Sequence, residues 1–322
     1  MKRFRSFRTI AIVLFLFVHD GVWGPVAFGQ SQLAAGLHRL SLTSVGYLWD
    51  YWLCVPPDPG PDRLMPAVLI LHGAGGSGES YLLSAGWKEK AEREGFIAIA
   101  PDGLPARPDR TPNFLLNPRL WNSGQLETRS PRSSVDDVQF IKDLLVAVER
   151  IVNIDMHRVY LTGHSNGAGM TFRLATQMSE WFAAIAPVAS HCWIGDPKPS
   201  HPLPTLYMIG LEDPLVPFEG GESWLPWGGK RTTPPVEATL RTWQRALGCQ
   251  ASQKTLRDDS VARVLEYPSC SRNVEFQVWL IKGQGHGWPG GEQQLPGLLM
   301  GPSRKEVRAT EVIWDFFRKH RK

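Results

Sequence analysis

Beyond the N-terminus the chain has no apolar stretch long enough to cross a membrane, no low-complexity segment, no internal repeat and no His-Glu-x-x-His or comparable ligand spacing. The first absence excludes a membrane-spanning helix beyond the N-terminus. The second and third exclude a flexible linker and a solenoid, and leave a single domain as the economical reading. The fourth means that no metal is implied. A surplus of charge is also lacking. The formal net charge is +4, and Lys2, Arg3, Arg5 and Arg8 against Asp20 account for most of it. Without the first 29 residues it falls to about +1, so no nucleic-acid partner is expected. Cysteine is scarce, at four residues. Cys249 and Cys270 bracket a short segment, and a bridge there would close a loop of roughly 20 residues for about 3 kcal/mol. Cys54 and Cys192 border apolar runs, where buried thiols and a bridge both remain open.

The N-terminus itself is different. Four basic residues precede the apolar run Ile10 to Val18, and Ala27-Phe28-Gly29 supplies small residues at the cleavage positions. Residues 1–29 therefore read as a secretory signal, with a retained anchor as the alternative, and Gln30 or its neighbour opens the mature chain. Residues 30–322 are then one catalytic domain, secreted or periplasmic, with no stable membrane insertion once the signal is removed.

Strands are expected over Tyr47 to Val55, Ala67 to Leu71, Phe96 to Ala100, Arg158 to Thr162, Ala183 to Ser190, Thr205 to Gly210 and Val274 to Ile281. Helices are expected over Tyr81 to Glu94, from Ser134 onward with Asp137 completing a capping box, from Ala168, over Pro235 to Leu247 and over Arg304 to Phe317. Asp136 and Asp137 are assigned to helix capping rather than to catalysis. Residues 104–133, rich in proline and without a period, form a long loop suited to lining a cleft. Strands alternating with helices imply an α/β fold: a mostly parallel central sheet with helices on both faces, its site at the C-terminal edge of the strands.

At that edge lies Gly163-His-Ser165-Asn-Gly167, a G-x-S-x-G turn between an apolar strand and a helix. Such a turn lifts a serine out of the backbone as a nucleophile. A serine hydroxyl needs a base, and the base needs a partner that fixes its tautomer. Asp213 follows the strand Thr205 to Gly210, and His286 follows the strand Val274 to Ile281. Ser, Asp, His is the chain order of the α/β-hydrolases. His191 and His201 precede Asp213 and break that order. Backbone N–H groups of Ala74, in Leu71-His-Gly-Ala-Gly-Gly76, and of Asn166 are the expected oxyanion donors. The same glycine-rich segment fits a competing dinucleotide-binding reading, Gly73-Ala-Gly75-Gly-Ser-Gly78 with Asp102 ending the next strand. Ser165, Asp213 and His286 together argue against it, because no dehydrogenase requires them, and no cofactor is expected.

With these elements placed, the chain resembles the secreted polyhydroxybutyrate depolymerase and feruloyl esterase group of α/β-hydrolases. The resemblance runs from about Tyr47 to Gly291. It rests on Leu71 to Ser77, Val135-Asp-Asp-Val138 with Phe140-Ile141, Gly163 to Met170 and Gly285-His-Gly-Trp-Pro-Gly-Gly291. It implies hydrolysis of a carboxylic ester through an acyl-enzyme on Ser165, of a polyester or an esterified polysaccharide. Trp121, Trp224, Trp227 and Trp288 are the expected substrate-stacking residues. A serine peptidase would share every catalytic residue, and a non-catalytic binding protein is the other alternative.

Overall fold

A computed structural model describes residues 33–57, 63–126, 129–225, 229–293 and 295–322. The expected signal, residues 1–29, lies outside the described residues, as does Trp227. Among the described residues no helix is long and apolar enough to cross a membrane.

The strands among the described residues are β1 (Gly36–Ser44), β2 (Tyr47–Val55), β3 (Met65–Leu71), β4 (Ile97–Pro101), β5 (Ile154–His164), β6 (Ala184–Val188), β7 (Thr205–Gly210), β8 (Gly221–Trp224), β9 (Lys230–Thr233), β10 (Lys254–Asp258), β11 (Ala262–Tyr267) and β12 (Phe276–Ile281). The α-helices are α1 (Gly78–Ser84), α2 (Trp87–Glu94), α3 (Asp137–Glu149), α4 (Asn166–Gln177), α5 (Val236–Ala246), α6 (Gly297–Met300) and α7 (Ala309–Phe317). Ten strands form one sheet in the order β1-β2-β4-β3-β5-β6-β7-β12-β11-β10, and β8 and β9 form a separate hairpin. The centre from β4 to β12 is parallel, whereas β1, β2, β11 and β10 are antiparallel additions at the two edges. Every residue of β3, β4, β6 and β7 is buried, so both faces of the centre are covered. This is the α/β-hydrolase fold. At the outer edge, all five residues of β10 are exposed, and its register against β11 shifts between Thr255 and Arg257.

Several elements differ from expectation for identifiable reasons. The single helix expected over Tyr81 to Glu94 is two, because Gly86 adopts a left-handed conformation at φ 72° and turns the chain between α1 and α2. Helix α3 begins at Asp137 and is capped by Asp136, whose carboxylate accepts the N–H of Gln139, while Ser134 belongs to a preceding 3₁₀ turn. Asp137 is not a cap at all. It is fully buried and paired with the equally buried Arg132. The final helix starts at Ala309 rather than Arg304, whose backbone N–H instead donates to Gln284.

The pair Arg132–Asp137 anchors the long loop. Arg132 donates to the carbonyls of Leu104 (3.3 Å) and Leu120 (3.0 Å), and Asp137 accepts the N–H of Asn122 (3.2 Å). Arg132 thus meets the Leu120 carbonyl and adds a second donor to the Leu104 carbonyl, which also accepts the N–H of Leu120 at 2.9 Å. Cys249 and Cys270 form a disulfide that ties the end of α5 to the segment before β12, across 21 residues. Cys54 and Cys192 are free thiols.

Two stability experiments follow from this packing. Asp137→Ala leaves a buried guanidinium unpaired and should lower the unfolding free energy by about 3–5 kcal/mol in a urea titration; a loss below about 1 kcal/mol would show that the loop is held elsewhere. Replacing Cys249 with Ser should cost about 3 kcal/mol by the same titration, through the enlarged entropy of the unfolded chain.

Candidate active site

The turn at Ser165 is made by close approach. Ser165 has φ 52° and ψ −119°, a left-handed value that an L-residue adopts only when its surroundings hold it there. A Cβ on Gly163 would lie 2.4 Å from the carbonyl oxygen of Gly167, and one on Gly167 would lie 2.3 Å from that of Leu71. Both glycines are therefore required by packing of the turn on itself and on β3. The N–H of Ser165 donates to Val188 at the end of β6 (2.9 Å), which fixes the turn to the neighbouring strand.

Three loops at the C-terminal edge of the sheet bring the expected residues together. His286 Nε2 lies 2.8 Å from Ser165 Oγ, and His286 Nδ1 lies 2.7 Å from Asp213 Oδ2. A carboxylate only accepts, so Nδ1 carries the proton and Nε2 is left to accept from the serine hydroxyl. The second oxygen of Asp213 accepts the N–H groups of Leu215 and Val216, each at 2.8 Å. Those two bonds fix the position of the carboxylate beside the imidazole.

A second histidine braces the first. His164 Nε2 donates to the carbonyl of His286 at 2.6 Å, and its Nδ1 accepts from the hydroxyl of Tyr81. Burial pushes the His164 imidazole down to about 3, which keeps it neutral. His72 is likewise structural. It accepts the N–H of Gly103 (2.8 Å), donates to the carbonyl of Gly73 (2.7 Å) and thereby holds the segment that presents Ala74.

Ser165, His286, Ala74, Asn166 and Trp288 line one cavity of about 390 Å³. Asn166 is the first residue of α4, where a backbone N–H has no acceptor within the helix. Its side chain is locked by the backbone of Trp121, accepting that residue's N–H at 2.6 Å and donating to its carbonyl at 3.0 Å.

The tryptophans divide. Trp288 lines the cavity with its ring edge against His164, centroids 6.1 Å apart, while its N–H donates to Thr310. Trp121 does not contact the cavity: it is 0 % exposed and donates its indole N–H to the carbonyl of His72. It is a brace beneath the site, not a stacking face. Trp224 is 67 % exposed, lies outside the lining and has the Lys230 ammonium 5.0 Å from its ring centroid. The cavity wall also contains Phe114, Arg119 and Arg231, which sequence reasoning missed. Phe114 and Arg119 lie in the aperiodic loop, and Arg231 lies in Lys230-Arg-Thr-Thr233, a stretch with no motif to single it out.

The glycine-rich segment has its own explanation. Asp102, the acid that the dinucleotide reading assigns to a ribose, accepts the N–H of Gly78 at 2.7 Å and pairs with Arg119 at 3.2 Å. Its carboxylate is spent on the start of α1 and on the loop. Among the described residues no group of three or more His, Cys, Asp and Glu side chains could hold a metal ion.

No family model matches the chain. A protein of Nocardia uniformis subsp. tsuyamanensis named as an esterase is 28% identical over 282 residues, covering 81% of this chain and 76% of the relative. Feruloyl esterase C of Emericella nidulans is 26% identical over 317 residues, 96% of this chain and 95% of the relative. Feruloyl esterase B of Piromyces equi is 25% identical over 230 residues, and the match spans 40% of its length. Among solved structures, acetyl xylan esterase from Aspergillus awamori superposes with a TM-score of 0.58 at 13% identity over 88% of this chain and 99% of the other. An S-formylglutathione hydrolase from Agrobacterium tumefaciens gives a TM-score of 0.55 at 15% identity over 90% and 98%. Sequence relatives named as feruloyl esterases and a fold shared with hydrolases agree with the group that the four motif patches resemble. The chain is an α/β-hydrolase-fold protein whose sequence relatives carry esterase names.

Proposed function

We propose that this chain is a secreted serine esterase that cleaves carboxylic esters through an acyl-enzyme on Ser165. The observation that carries this reading is the continuous hydrogen-bonded series Ser165–His286–Asp213, set on a turn at positive φ and open to the cavity. In the first half-reaction the Ser165 proton passes to His286 Nε2 as Oγ attacks the ester carbonyl. The N–H groups of Ala74 and Asn166 receive the oxyanion, a contribution of about 3 kcal/mol for each donor. The tetrahedral species then expels the alcohol, which takes the proton from His286. Water repeats the sequence on the acyl-enzyme and releases the acid. Asp213 stabilises the imidazolium without accepting its proton.

The substrate class that the relatives' names favour is a hydroxycinnamoyl or acetyl ester on polysaccharide. A polyester of the hydroxybutyrate type rests on the motif resemblance alone. In this reading residues 1–29 are the export signal and residues 30–322 the catalytic domain. A serine peptidase would use the same three residues, and parallel assays on 4-nitrophenyl acetate and a peptide anilide distinguish the two.

Ser165→Ala should fold normally and lose ester turnover by a factor on the order of 10⁶. Turnover within tenfold of the parent would place the chemistry elsewhere. A serine-reactive phosphonate should label Ser165 alone, as read by peptide mass spectrometry.

His164 gives the proposal a pH dependence of known sign. Its folded-state affinity for a proton is pushed by burial to about 3, below the ordinary 6.5. Between those values the unfolded chain binds the extra proton, so the stabilisation is complete above about pH 6.5 and is lost as pH falls toward 3. His191, pushed by burial to about 4, acts in the same direction. His164→Asn should therefore flatten, without abolishing, the fall in unfolding free energy between about pH 7 and pH 4.5. An unchanged slope would show that His164 is not held neutral.

A further inference from the structure

Arg231 lies in β9 and lines the same cavity as Ser165. Among the described residues it has no carboxylate partner: its Nη1 is 3.3 Å from the side-chain oxygen of Gln125 and its Nη2 is 3.2 Å from the carbonyl of Leu215. Its Nε is buried with no hydrogen-bond partner at all. Its guanidinium lies 5.6 Å from the Trp193 ring centroid, which supports the plane of the fork on one side.

Two neighbours repeat the pattern. The buried indole N–H of Trp193 and the Nε2 of His191 also lack partners, and these two rings stand edge to face with centroids 5.2 Å apart. His191 is almost fully buried. Among the described residues the carboxylate whose charge acts on Arg231 is Asp213, already engaged by His286 and two backbone N–H groups. A half-buried guanidinium is poorly solvated unless an anion meets it, and its fork matches a carboxylate. The other cavity arginine, Arg119, is already paired with Asp102.

We propose that Arg231 is a specificity-determining residue that receives a carboxylate carried by the substrate, so that the preferred esters of this enzyme are anionic. This rests on the esterase reading above. The carboxylate can belong to the acyl chain, as in the monoester of a dicarboxylic acid, or to the alcohol that leaves.

Paired substrates test both sources. Mono-4-nitrophenyl adipate against 4-nitrophenyl hexanoate places the charge on the acyl side. The acetyl ester of 4-hydroxybenzoate against that of 4-hydroxybenzamide places it on the leaving side. In one arm the parent enzyme should prefer the anion in kcat/KM by about 10- to 100-fold, the range expected of a hydrogen bond to a charged group. The preference should weaken with added salt. In Arg231→Gln the anion-to-neutral ratio should fall toward one, and in Arg231→Lys it should be partly retained. The ratio cancels any general loss of activity, and a matching circular dichroism spectrum certifies the fold. If Arg231→Gln does not fold, Arg231→Lys and the salt dependence of the parent carry the test.

The proposal is overturned if the parent shows no preference in either arm, if Arg231→Gln keeps it, or if Arg119→Gln removes it instead. Hydrolysis of the neutral esters without a preference would sink the Arg231 assignment alone. Failure to hydrolyse any of the four esters would sink the esterase reading itself.

Discussion

The contact on which the site depends is the approach of the β5–α4 turn to the end of β3. Gly167 sits so near the carbonyls of Leu71 and His72 that a single methyl group would have to displace the backbone. That approach is what holds Ser165 at positive φ and puts the first N–H groups of α4 next to the segment that follows β3. The proposed nucleophile and its proposed oxyanion donors are thus one backbone arrangement rather than two. The sheet supplies the rigidity, because β3 and β5 are adjacent and parallel and all of β3 is buried.

Around this arrangement the polar groups are braced from behind. His72, His164 and Trp121 are all buried, and each gives its ring N–H to a backbone carbonyl of a site segment. Buried polar groups with complete partners define one conformation, because any other leaves a donor unmet in a medium without water. On the cavity wall that carries Arg231 the accounting stays open.

The parts of this architecture that could be read from sequence are those where chemistry is local. The G-x-S-x-G turn, the order Ser165, Asp213, His286 and the fully buried strands β4 and β7 leave marks that do not depend on distant contacts. What escaped detection depends on the assembled fold. Strands β1, β8 and β9 mix exposed and buried positions, and β10 is wholly exposed, so they lack the apolar runs that betray a central strand. Gly86, in a left-handed conformation, splits the stretch expected as one helix into two. Trp121 and Trp288 both stand in loops, yet one is fully enclosed and the other lines the cavity, a distinction made by which loops fold over them. Asp137 resembled a cap because its partner, Arg132, sits in a segment with no regular pattern.

The outermost strand, β10, offers its unpaired backbone groups to solvent along an edge that carries Lys254, Arg257 and Asp258, and its bulge twists that edge out of line. A foreign strand attempting to continue the sheet there would have to strip water from these charges and match an irregular register. The ten-stranded sheet therefore ends where it does by electrostatics and geometry, which guards against fibrillar self-association at that border.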